Sequence, residues 1–140
     1  MLVNKEYEVL VNRKSNAQSE KNTCEHRIEN YDYLLQRLRT ARNNIRECKS
    51  LFANLIREQY FIEQSECEWK GYKQRVFEGK LEDISAENQH YYQHTIDRIH
   101  DSLNDEITRI KNLRAQEYGM LGNIVSLINS LSNEINNFFN

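Results

Sequence analysis

The chain has no proline, only four glycines in 140 residues and a single tryptophan. Proline and glycine punctuate turns, so a fold of many short elements is excluded and few chain reversals remain. Gly71 and Gly79 are the only glycines of the first 118 residues. Apolar material is scarce too, at 39% hydrophobic residues and a mean hydropathy of −0.85. That is too little for a thick core and enough for a thin seam between helices. No apolar run reaches the roughly 20 residues a membrane helix needs. The most apolar stretch, GNIVSLINSLSNEINNFF, is broken by Asn, Ser and Glu every few residues.

An excess of one charge sign is also missing. The net charge of −2 implies no general attraction to nucleic acid or to an anionic membrane. Residues 13–60 carry ten Lys/Arg against six Asp/Glu, and residues 61–140 carry eight against thirteen. Two antiparallel halves that complement each other account for this better than a nucleic-acid patch, because acidic residues interrupt the basic half. The three cysteines form no C-x-x-C pair. Cys24 and Cys48 would stand about 36 Å apart on one helix, beyond disulfide reach, so a reduced, cytoplasmic protein is expected. The N-terminal MLVNKEYEVLVNRK lacks the apolar core of a secretory signal.

What is present is heptad periodicity. Tyr31, Leu38, Ile45 and Phe52 recur every seven residues, and Leu34, Ala41, Cys48, Leu55 and Ile62 form a second row three residues later. Read as a and d positions, these rows predict one long helix over about 15–65, with Cys48 as a small buried hydrophobe. Cys24 and Ile28 extend the stripe upstream through a phase shift, and residues 1–14 are expected to fray. Eight tyrosines, five phenylalanines and this spacing argue against a disordered chain.

The second half, about 73–139, carries a broader stripe. Ile96, Leu103, Ile110, Ile124, Leu131 and Phe138 share one heptad position, with Glu117 as the exception. Ile99, Leu113, Met120 and Leu127 border them on one side, and Ile107, Leu121, Ile128 and Ile135 on the other. A hairpin buries one edge of such a face and exposes the other, and an exposed apolar edge points to a partner. The expected partner interface is Ile96, Leu103, Ile110, Met120, Leu121, Ile124, Leu127, Ile128, Leu131, Ile135 and Phe138. Gly119 and Gly122 fall inside this pattern, where each costs about 1 kcal/mol against alanine, and predict a kink, a break or a close helix approach near 119–122.

Catalytic signals are weak. His90, His94 and Asp97 lie on one helical face, but the motif is not H-E-x-x-H, and solvated polar side chains are the simpler reading. Cys67 is flanked by Glu66 and Glu68, which do not favour a thiolate. No phosphate loop and no grouped nucleophile, base and acid occur, so no enzyme, cofactor or metal is expected.

Between the halves lies ECEWKGY. Gly71 suits a chain reversal, and Trp69 at the tip of a thin hairpin has little core to fill. An exposed Trp suits recognition. Two long helices joined at mid-chain by Trp-x-Gly, with Phe77 six residues after the glycine, resemble the WXG superfamily. At 140 residues the chain is more similar to the YwqH-like accessory family associated with LXG toxins. The resemblance covers residues 15–139 and implies an all-α fold, a long antiparallel, coiled-coil-like helical hairpin with Trp69-x-Gly71 at the turn. It also implies a non-enzymatic targeting chaperone that binds the helical targeting domain of an LXG-type toxin, together with a second small helical accessory protein. The complex would be delivered to type VII secretion, with Trp69, Gly71 and Phe77 as recognition elements. No Tyr-x-x-x-Asp/Glu export signal occurs, so co-export with a partner is the form of secretion implied. Without a partner a homodimer is expected. The competing reading is a self-associating four-helix-bundle protein with no secretion role.

Overall fold

The computed structural model describes residues 2–65 and 72–140. Two helices make up the described chain, α1 at Leu2–Ser65 and α2 at Tyr72–Asn137, and they pack against each other in antiparallel fashion. Trp69, Gly71 and Cys67 lie outside the described residues, as does the side chain of Phe77 within α2. Helix α1 begins a dozen residues ahead of the expected start, because Tyr7 and Leu10 continue its seam and are half-buried. Helix α2 runs unbroken through Gly119 and Gly122. A Cβ at either glycine would meet nothing within 4 Å, so neither marks a close approach within this chain.

The chain divides into two compact units, the first formed by Met1–Arg37 with Ile107–Asn140 and the second by Leu38–Glu106. In unit 1 the core consists of Ala17, Cys24, Ile28 and Leu35 from α1 against Ile107, Ile110 and Leu131 from α2, all buried. Fully burying a large apolar side chain stabilises by about 1.5–3 kcal/mol, so most of the described core energy resides in this unit. Its end is closed by Tyr7, whose ring lies 5.8 Å from that of Phe138 and 5.3 Å from that of Phe139. Unit 2 has one buried apolar side chain among its described residues, Ile96. Leu38, Ile45, Phe52, Ile56 and Leu103 are half-buried along the same seam.

The burial pattern corrects the expected register of α1. The row Tyr31, Leu38, Ile45 and Phe52 does face α2, and Cys24, Ala17 and Leu10 continue it in phase without any shift. The second seam row stands four residues after the first, at Ile28, Leu35, Arg42 and Ile56. Leu34 and Leu55 from the expected row are exposed, as is Cys48, which is therefore not a buried hydrophobe. The physical reason is that Arg42 takes a seam position with its stem half-buried while its head finds a partner, and Lys49 pairs across beside it. Arg42 Nη1 donates to Asn104 Oδ1 at 3.1 Å and Lys49 Nζ to Asp97 Oδ1 at 2.8 Å. A count of apolar residues cannot register that.

Candidate functional site

Helix α2 places its seam at Ile96, Leu103, Ile110, Glu117, Ile124, Leu131 and Phe138, alternating with His100, Ile107, Arg114, Leu121, Ile128 and Ile135; all are buried or half-buried. Nine of the eleven residues expected to bind a partner thus lie in the chain's own seam, and only Met120 and Leu127 stand exposed, at 47% and 40%. Ile99 on the same row is 42% exposed. The outer edge of the stripe is therefore the face that α1 leaves uncovered.

Each unit has two flanks beside its seam, and they differ. In unit 2 one flank is closed by polar pairs: Arg42 with Asn104, Lys49 with Asp97, and Arg46 Nε, which donates to His100 Nε2 at 3.2 Å. The Lys49 ammonium holds the Asp97 carboxyl below the usual carboxylate range, chiefly through that hydrogen bond. Arg42 Nε is buried without a partner, a local cost of keeping arginine in the seam. The opposite flank differs in what it exposes. It presents Leu51 at 62% exposure, Leu55 at 60%, Tyr92 and Ile99, with Cys48 beside them. Phe52 stacks on Tyr92 with ring centroids 4.4 Å apart and so holds the tyrosine on this flank.

In unit 1, Arg114 Nη1 donates to Asp32 Oδ1 at 2.8 Å on the first flank. At the seam, Glu117 interrupts the apolar row and is met from α1. The Cys24 thiol donates to its carbonyl oxygen at 3.2 Å and its Oε2 at 3.1 Å, and Arg27 Nη1 reaches Oε1 at 3.4 Å. Burial first, and the Glu117 bonds second, push the Cys24 thiol up. Leu34, Met120 and Leu127 stand exposed on the second flank. The sequence marked Glu117 only as an exception. Its pairing with Cys24 and Arg27 depends on a separation of about ninety residues, which no local spacing reveals.

His90 and His94 pack edge to face at 4.7 Å, while Asp97 is taken by Lys49. Among the described residues no group of three or more His, Cys, Asp or Glu could hold a metal ion. No described helix is long and apolar enough to cross a membrane. No family model, curated protein or solved structure matches the chain.

Proposed function

We propose that the chain is a non-enzymatic helical accessory protein that captures a partner's helix on the open apolar flank of unit 2. The observation that carries this reading is the exposure of Leu51, Leu55, Tyr92 and Ile99 together on the flank opposite the Arg46–His100 and Lys49–Asp97 pairs. Isolated exposed hydrophobes are ordinary, but a grouped row beside a helical seam is an incomplete bundle. A helix laid there would add its own apolar row to that seam, in the groove-binding manner of amphipathic helices.

The Trp69-x-Gly71 resemblance supports a more specific version. The partner is the helical targeting domain of an LXG-type toxin, with a second small helical protein in the complex, and the role is delivery to type VII secretion. Trp69 is then a recognition element at the bend. The test is co-expression of the full chain with such a domain, followed by gel filtration. A stable complex is expected, lost on Leu55→Asp and retained on Trp69→Ala, with the latter failing in export. A partner that ignores the wild-type chain, or binding unchanged by Leu55→Asp, overturns the reading.

A further inference from the structure

Past Lys49 along α1, the seam of unit 2 opens. The α2 rows that hold Ile96 and His100 carry Gln89 and Gln93 one heptad earlier, and both glutamines are exposed. On α1, Ala53 stands one heptad after Arg46, whose side chain meets His100. The Arg46–His100 pair is thus succeeded by Ala53 and Gln93, and an alanine is too short to reach across. The result is a cavity of about 300 Å³ between the helices, the size at which ligand sites begin. Phe52, Ile56 and Ile96 give it an apolar floor, and Lys49, Arg57 and the two glutamines line it as well. We infer that this cavity binds a free medium-chain fatty acid, with the carboxylate on Arg57 and the chain along the floor.

Charge decides the head group and its orientation. Among the described residues the lining carries two cations and no carboxylate, which suits an anion. At one end the Lys49 ammonium already holds Asp97 at 2.8 Å, so an anion arriving there meets a carboxylate. By the register of the Lys49–Asp97 and Arg46–His100 pairs, Arg57 stands level with Gln89 at the other end. A guanidinium that can take both carboxylate oxygens, beside an amide N–H donor, is the arrangement a carboxylate needs. Length decides the tail. Lys49 and Arg57 stand about 12 Å apart along α1, a span that a straight chain of about ten carbons fills. Such a chain covers Phe52, Ile56 and Ile96, while the exposed glutamines keep their amides in water and strand no polar group.

Calorimetric titration of the full chain with decanoate, below the concentration at which it forms micelles, should show saturable binding of one molecule per chain. Hexanoate should bind at least about tenfold more weakly, since each methylene withdrawn from water is worth about fourfold. Decyltrimethylammonium, with the same chain and the opposite charge, should not bind. Arg57→Gln should weaken decanoate about tenfold through loss of the charged donor. Ala53→Leu should abolish binding by filling the cavity, and circular dichroism should show unchanged helicity, because Ala53 is exposed. Leu55→Asp, which tests the partner-binding flank, should leave decanoate binding unchanged, so the two ideas fail separately. Uptake that does not saturate, equal binding of decyltrimethylammonium, or decanoate binding indifferent to either Arg57→Gln or Ala53→Leu overturns the inference.

Discussion

At the scale of single residues, the two described cysteines have opposite environments and should behave accordingly. Cys24 is buried with its thiol donating to Glu117, whereas Cys48 is exposed. A thiol-specific reagent should label Cys48 at least about tenfold faster than Cys24 in the folded chain, and at similar rates in urea. The raised titration of Cys24 also gives stability a sign with pH. The folded chain keeps a proton that the unfolded chain releases above about 8.5. Its contribution is thus complete below that value and is lost as pH rises through the higher folded one. Urea midpoints at pH 8 and pH 10 should fall further apart for the wild type than for Cys24→Ala. Equal falls would show that the Glu117 contact carries no such linkage.

At the scale of elements, the glycines of α2 have lost the roles their position suggested. With open space where a methyl group would stand and no break in the helix, Gly119→Ala and Gly122→Ala should each raise stability by about 1 kcal/mol. Thermal unfolding checks this, and a loss of stability at either site would mean that something packs there in solution. The heptad reading of α2 was legible because one seam row is apolar at every position but Glu117, and Ile96, Ile107, Ile110 and Leu131 are buried where the period places them. The reading of α1 missed by one residue. Leu34 and Leu55 suggested a seam row by their type, while the true row, Ile28, Leu35, Arg42 and Ile56, includes an arginine whose place depends on Asn104 across the interface.

At the scale of the molecule, seven of the eight apolar side chains buried among the described residues belong to unit 1 and one to unit 2. Amide protection tracks buried contacts. Hydrogen exchange should therefore find residues 17–35 and 107–131 the slowest and residues 41–56 and 89–104 markedly faster. Leu131→Ala, costing about 2–5 kcal/mol, should accelerate exchange throughout unit 1. Uniform protection along both helices would contradict the uneven core.

The absence of proline, the scarcity of glycine and two heptad stripes were enough to determine an all-helical chain of two long elements with one reversal. Those properties are local, since backbone propensity and a 3.5-residue period act within a few turns. Only the tertiary structure decided which face of α1 is inside, that Glu117 lies with Cys24 and Arg27, and that polar pairs close one flank of unit 2 while Leu51, Leu55, Tyr92 and Ile99 are left open on the other. These outcomes depend on which residues of one helix stand level with which residues of the other. That register is set by the sum of contacts across the seam and by no single stretch of chain.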